Sequence, residues 1–294
     1  MTSIEAPVGM RAETQTVEPG AAGSLVVIEP SGGRSRLGLG EVWEYRELLY
    51  FLVWREVKVR YKQTVLGVAW AVLQPFLTMV VFSLFFGHLA RVPSDGVPYP
   101  VFTYVALLPW QLFAGALTGA TSSLVGSQGL ISKVYFPRLL VPLGSTLSSL
   151  VDFGVAFGVL ALLMLYYGLV PGPAVVALPA FVLLAIATAL SVGLWLSVLN
   201  VRFRDVRYIM PFLAQLWLFV TPVAYPSSLV PPSWRVIYAL NPMVGVVDGF
   251  RWALLGRGGA LEVSTLVSVG VVAVLFAAGL RYFQRAQATI VDLV

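Results

Sequence analysis

The apolar positions of this chain are gathered into long blocks separated by short polar ones. Six blocks, at about residues 66–90, 101–125, 139–168, 174–199, 208–225 and 262–282, are long enough to cross a bilayer as helices, which takes about 20 apolar residues. Proline stands inside or at the edge of several, at Pro75, Pro109, Pro142, Pro179 and Pro211. In a bundle, neighbouring helices re-satisfy the backbone groups that proline frees, so these positions do not argue against the spans. The pattern predicts an all-α polytopic membrane protein with six transmembrane helices within residues 65–294.

The segments between blocks carry patterns of their own. Residues 41–64, EVWEYRELLYFLVWREVKVRYKQT, place Leu49, Leu52, Val53, Val57 and Tyr61 on one side of a helical wheel and Arg55, Lys58 and Lys62 opposite. This is the signature of an amphipathic helix lying in the membrane interface. It serves either as an anchor or as a platform for an anionic lipid. In about 127–138, Leu130, Ile131, Val134 and Tyr135 form a short amphipathic turn bounded by Gly129 and Pro137, with Lys133 and Arg138 beside it. A connecting loop has no need of an apolar face. This one is expected to dock, on the chain's own bundle, on lipid or in a socket of a soluble partner. Between the last two blocks, about 226–257, lie two apolar pieces too short to span, parted by Asn241-Pro242. They are expected to form two short re-entrant helices, with irregular backbone at that depth buried by protein. Asp248 and Arg251, at i and i+3, are expected to pair on the face that avoids lipid.

Composition supports the membrane reading. Hydrophobic residues make up 58% and charged residues 11%, with mean hydropathy +0.85, against about 25% charged in a soluble domain. Residues 1–40, rich in Gly, Ser and Glu, have no apolar h-region; they predict a disordered tail and no cleavable signal peptide. The absence of cysteine and the single histidine, His88, exclude thiolate chemistry and multi-histidine metal clusters. The net charge of +5 does not point to nucleic acid, because fifteen of the nineteen Lys and Arg fall before the first span, between spans two and three, between four and five, or after six. Under the positive-inside rule both termini, the tail included, are cytoplasmic.

Within and between the spans, several residues could carry function. NVRFRDVRY between spans four and five holds Arg202, Arg204, Asp205 and Arg207; it enforces topology with an Arg–Asp pair, or offers guanidinium forks to phosphate. Asp152 sits mid-span without a basic partner in neighbouring turns, where Ser148 and Ser149 could bond it. The pairs Gly115/Gly119 and Gly154/Gly158 would let helices approach closely. Aromatic residues, 13% of the chain, cluster near span ends, as an interfacial belt or as rings on which sugars slide. No phosphate-loop, HExxH or Gly-x-Ser-x-Gly pattern occurs, so catalysis by this chain is not expected.

Four landmarks together resemble the transmembrane permease subunit of ABC-2 type polysaccharide exporters, the O-antigen (lipopolysaccharide) export group, with teichoic-acid and capsule permeases nearby. They are WREVKVRYKQTVLGVAWAVLQP, GLISKVYFPRLLVP, NVRFRDVRYIMPFLAQLWLFVTPVAYP and PPSWRVIYALNPMVGVVDGFRWALLG. The resemblance runs from about residue 41 to the C-terminus. It implies an ABC-2 (type V) exporter fold in a bacterial inner membrane. Two copies of this chain would join two copies of a separate ATPase that holds ATP and Mg, and would export a polyprenyl-diphosphate-linked glycan. This chain itself would carry no cofactor and no metal.

The resemblance also implies roles for particular residues. Gly129, Leu130, Ile131, Ser132, Lys133, Val134, Tyr135, Phe136, Pro137 and Arg138 would form the coupling helix seated in the ATPase. Arg55, Lys58, Arg60, Lys62, Arg202, Arg204 and Arg207 would meet the lipid diphosphate. Trp234, Asn241, Pro242, Asp248, Arg251 and Trp252 would belong to periplasmic gate helices. Trp70, Phe76, Phe82, Trp110, Trp217 and Phe219 are the candidate channel rings. Two other readings stay open at this point, an ABC-2 permease for a small lipophilic compound and a membrane scaffold without transport. A proton-coupled carrier would rest on Asp152 alone.

Overall fold

The structure, a computed structural model, describes residues 39–62, 67–257 and 263–293. The predicted tail lies outside the described residues except for its last two positions, and so do residues 63–66 at the join between interface helix and first span. Among the described residues every regular element is helical. In chain order these are α1 (Leu39–Glu44), α2 (Arg46–Lys62), α3 (Gly67–Phe82, continued as a π-helix over Ser83–Leu89), α4 (Tyr99–Gly126), α5 (Gln128–Ile131) and α6 (Leu140–Tyr166). There follow α7 (Leu178–Arg202), α8 (Val206–Val220), α9 (Arg235–Tyr238), α10 (Pro242–Leu255) and α11 (Val263–Leu293).

Five helical stretches among the described residues are long and apolar enough to cross a bilayer: Ala69–Leu89, Tyr99–Gly126, Leu140–Tyr166, Pro173–Arg202 and Ser264–Gln287. They match five of the six predicted blocks. The remaining block, 208–225, does not become one long helix. Its α8 has 15 residues, about 22 Å at 1.5 Å per residue, short of a hydrocarbon core of about 30 Å. Pro222 is the reason, because its ring drives the preceding residue out of the helical region. Thr221 accordingly turns extended, at φ −95° and ψ 142°, and its hydroxyl bonds back to the Trp217 carbonyl at 2.9 Å.

The interface helix and the 226–257 segment also differ from expectation. The first is two helices broken at Tyr45. On α2, which packs on α6, Leu52 and Val57 are buried, while Tyr50, Phe51 and Trp54 are exposed. The helix is therefore apolar on two faces, one for the bundle and one for the surroundings. Of the two expected short helices, the first is only a pair of 3-10 turns, Ser227–Leu229 and Pro232–Trp234, followed by the single turn of α9. Pro226, Pro231 and Pro232 withhold three backbone donors there. The second is a full 14-residue helix, α10, and its signals are clear: Asn241 caps it, Pro242 occupies its first position, and Gly256 ends it in the left-handed region at φ 65°.

α4 is the axis of the bundle, buried on nearly every turn from Val101 to Leu124 and packed on α6 and α7. Two clusters of buried side chains mark the two ends. One joins the first half of α4 to α10 through Phe102, Tyr104, Phe113, Val247 and Phe250. The other joins α2, the 131–141 connection and the later turns of α7 and α11 through Leu52, Ile131, Leu140, Leu194 and Phe283. Lipid gives helices little hydrophobic reason to associate, so close backbone approach and interhelical hydrogen bonds carry the packing. A Cβ added at Gly119 would lie 2.8 Å from Ser145 Oγ, and one at Gly193 2.7 Å from the Ala120 Cβ. Of the two predicted glycine pairs, Gly115/Gly119 faces α6, whereas Gly154 and Gly158 have nothing within 4 Å of such a Cβ.

Candidate functional site: a polar groove beside the central helix

One stripe of α4 escapes the burial of the rest. Gln111, Gly115, Thr118 and Ser122 recur at spacings of four, three and four, which puts them on one helix face. Gly115, Thr118 and Ser122 are exposed. Across from them stand Gln74 and Thr78 of α3, with Ser149, Asp152 and Phe153 of α6 and Leu218 of α8 completing a cavity of about 930 Å³. The hydroxyls of Thr78, Thr118 and Ser122 donate to carbonyls of their own helices at 2.8, 2.8 and 2.9 Å, leaving lone pairs for a guest. α3 and α8, which both pack on α4, are the loosest of the apolar helices. α3 exposes Trp70, Phe76, Leu77, Val80 and Val81, and α8 buries only Met210.

Charge enters this groove at one end only. Arg60 and Tyr61, at the close of α2, both reach Asp152, Arg60 through Nη1 to Oδ2 and Tyr61 through its hydroxyl to Oδ1. The acid that lacks a local basic partner in the sequence thus has one 92 residues earlier in the chain. The expected bonds from Ser148 and Ser149 are replaced: Ser148 donates to the Ser145 carbonyl at 2.7 Å, and the Ser149 hydroxyl is buried without a partner. Burial first, then the Asp152 carboxylate, pushes the Tyr61 phenol up to about 12, so it is a donor throughout the physiological range. Of the seven cations expected to meet phosphate, Arg60 alone lines the groove. Arg55 donates to Glu56 and to Ser127 Oγ at 3.0 Å, and Lys58 lies over the Trp54 ring. Lys62, Arg202, Arg204 and Arg207 are exposed; Arg207 stacks on Tyr208, and among the described residues no ion pair ties Asp205 to these arginines.

The predicted rings divide. Trp70 and Trp110 line the groove. Phe82 is buried against Phe86, Phe76 and Phe219 are exposed, and Trp217 packs edge-on to Phe113 and donates to Asn241. In the coupling segment α5 spans only four residues. Its apolar face splits: Ile131 and Phe136 turn into the bundle, while Val134 and Tyr135 are 51% and 85% exposed. Gly129, Ser132 and Lys133 are exposed, Leu130 and Pro137 half-buried, and Arg138 bonds the Gln287 carbonyl of α11.

At the far end of the bundle the residues expected to gate are fastened to the bend after α8. Asn241 Oδ1 accepts from the Met243 amide and from Trp217 Nε1 at 3.1 and 2.9 Å, and its amide donates to Thr221 Oγ1 at 3.1 Å. Arg251, 4% exposed, donates to the carbonyls of Val223 and Tyr225 and lies 3.7 Å over the Phe102 ring. Asp248 accepts from Ser227 at 2.6 and 2.7 Å. The Asp248 charge acts on Arg251 as expected, and both side chains also bond the chain between Val223 and Ser227. Burial lowers the Arg251 guanidinium to about 10, with the charges of Asp248 and Asp95 opposing, so it stays cationic near neutrality. Trp234 is exposed and Trp252 packs edge-on against Phe181.

Among the described residues no group of three or more acids and histidines could hold a metal. The geometry is that of an open groove, with a stripe of uncharged polar groups set among apolar walls and the Arg60–Asp152 pair at one end. Residues 47–255 match the family model of the ABC-2 type transporter. The chain belongs to the ABC-2 type transporter family. Within it, the chain is similar to the O-antigen export system permease protein RfbA of Myxococcus xanthus, 35% identical over 214 residues, 72% of this chain and 81% of that protein. A permease of the same name from Klebsiella pneumoniae is 28% identical over 243 residues, covering 81% and 92%. The polysialic acid transport protein KpsM of Escherichia coli is 23% identical over 208 residues, covering 68% and 78%. The part of this ABC-2 type transporter chain that matches the family runs from the second residue of α2 to the end of α10. The groove, its Arg60–Asp152 end and the Asn241–Arg251 fastenings all lie inside it.

The polar stripe is what the sequence reading passed over. Gly115 belongs to it as well as to the glycine pair, and reading that pair only as packing hides Gln111, Thr118 and Ser122 on the same face. Their spacing was the available signal.

Proposed function

We propose that this chain is the membrane-spanning subunit of an ATP-driven exporter of lipid-linked polysaccharide, working as two copies beside a separate ATPase. The carrying observation is the uncharged polar stripe Gln111–Gly115–Thr118–Ser122 on an otherwise buried helix, in a groove of about 930 Å³ walled by loosely packed α3 and α8. Two such grooves face to face make a conduit in which stripes of hydroxyls and amides run between apolar walls and a few rings. It can exchange weak hydrogen bonds with a sliding glycan without trapping it. The names of the relatives, O-antigen export and polysialic acid transport, support the same cargo class.

The rest of the assignment follows the charges and exposed faces. The Lys- and Arg-rich end, with both termini, faces the cytoplasm of a bacterial inner membrane. α8 with the bend after it completes a sixth crossing, and the segment from Pro226 to Arg257 closes the outer end as a gate of the type V fold. Val134 and Tyr135 seat in the ATPase, which alone holds ATP and Mg, and the glycan rides on a polyprenyl diphosphate. ATP acts by favouring one arrangement of the ATPase, which the 129–138 segment transmits to the spans. Deleting the gene in its native host should leave lipid-linked glycan inside the cell and none at the surface. Normal surface glycan would refute the proposal.

A further inference from the structure

The Arg60–Tyr61–Asp152 cluster is more than a brace between α2 and α6. Two donors from adjacent residues converge on the two oxygens of one carboxylate, Arg60 Nη1 on Oδ2 and Tyr61 hydroxyl on Oδ1. A phosphate offers the same pair of acceptors, and guanidinium forks accept carboxylate and phosphate alike. The cluster is reachable, with side chains 36% and 30% exposed for Arg60 and Asp152, and all three residues line the groove. Among the described residues that line it, Arg60 is the one cation and Asp152 the one acid. An anion entering the groove therefore meets a cradle that is already filled.

We infer that Asp152 is an internal stand-in for the phosphate of the cargo, displaced from Arg60 and Tyr61 when a lipid diphosphate enters, and that this competition makes the chain select diphosphate over monophosphate. This rests on the proposed function. A monophosphate offers a single phosphoryl group for the two donors, and Asp152, fixed on its own helix, already fills both. A diphosphate brings a second phosphoryl group, so one can take Arg60 and Tyr61 while the other meets groove donors, and Asp152 swings toward the open groove. The displaced carboxylate then repels the bound anion, so the capture is reversible and the lipid can be released. Asp152 acts as a specificity residue, and its partner Arg60 as the binding group.

The test uses the full chain in nanodiscs of zwitterionic lipid, titrated with prenyl diphosphate and with prenyl monophosphate. Further arms use inorganic pyrophosphate and nanodiscs carrying phosphatidylglycerol. Wild type should favour the diphosphate lipid by at least about tenfold, and Asp152→Asn should raise monophosphate affinity by about tenfold, with a smaller gain for diphosphate. Asp152→Glu should keep the discrimination, and Arg60→Gln should lose both ligands. If wild type and Asp152→Asn show the same ratio of affinities while Arg60→Gln loses binding, Asp152 is a brace and the inference falls while the proposed function stands. If phosphatidylglycerol competes as well as prenyl diphosphate, the cradle is a general headgroup site and the inference also fails. Absence of prenyl diphosphate binding in wild type overturns both. Thermal unfolding of each variant separates lost binding from lost folding, and a misfolded Asp152→Asn is replaced by Asp152→Ser in the same comparison.

Discussion

Asn241 ties together three pieces of chain that the sequence separates, and replacing it tests whether they hold the far end of the bundle. Its side chain caps α10 at the Met243 amide, accepts from Trp217 of α8 and donates to Thr221 of the bend. In Asn241→Ala the cap goes, worth about 1 kcal/mol. The half-buried Trp217 N–H also loses its acceptor, at about 1 kcal/mol, the low end for a stranded donor. Interhelical hydrogen bonds in membrane proteins average only about 0.6 kcal/mol, which holds the total near 2 kcal/mol. Asn241→Asp keeps both acceptor roles and places an anion at the N-terminus of α10, regaining about 0.3–1 kcal/mol while losing the bond to Thr221. It should therefore lie within about 1 kcal/mol of wild type. The assay is equilibrium unfolding in mixed micelles with tryptophan emission as the readout; the Ala variant should also shift emission to the red as Trp217 is released. Equal losses from both variants would mean that the carboxamide N–H groups, not the cap and the Trp217 acceptor, do the holding. An Ala variant as stable as wild type would refute the reasoning altogether.

Other consequences are simpler to state. A Cβ at Gly249 would stand 2.1 Å from the Phe181 ring, so Gly249→Ala should cost about 1–3 kcal/mol in the same unfolding assay. Gly158→Ala, with nothing within 4 Å, should leave the isolated chain within about 0.5 kcal/mol of wild type. Tyr135→Ala removes a ring that is 85% exposed; it should leave unfolding unchanged while reducing ATPase recovered by affinity purification of this chain, and full recovery would exclude Tyr135 from the docking face.

Much of this architecture was legible because lipid imposes a blunt rule: a spanning helix must be apolar along its length, and apolar length is visible in one dimension. Five of the blocks became long helices for that reason. Asn241, Pro242 and Gly256 likewise advertised α10, because caps are local chemistry. What failed to show was whatever depends on contacts distant in sequence. The partner of Asp152 comes from α2, and no local pattern announces it. Arg251 and Asp248 sit at a spacing that suits a mutual pair, but backbone carbonyls and Ser227 from another segment meet them as well. Pro222 was in plain view, but its effect on Thr221 shortens a helix whose hydropathy continues past it. The polar stripe was hidden for a different reason. A few Gln, Thr and Ser hardly dent the hydropathy of a span; their spacing puts them on one face, but that the face is open shows only in the burial of the rest of α4.

The central claim is that glycan passes along the α4 stripe. It is tested most directly by placing a photo-activated cross-linking residue at Thr118, within the groove, and separately at Leu162, 68% exposed on α6 and not among the groove residues, in cells actively exporting glycan. A covalent glycan adduct should form from position 118 and grow when export is stalled, with none from 162. Adducts at 162 but not at 118, or none at 118 in a stalled complex, would contradict it.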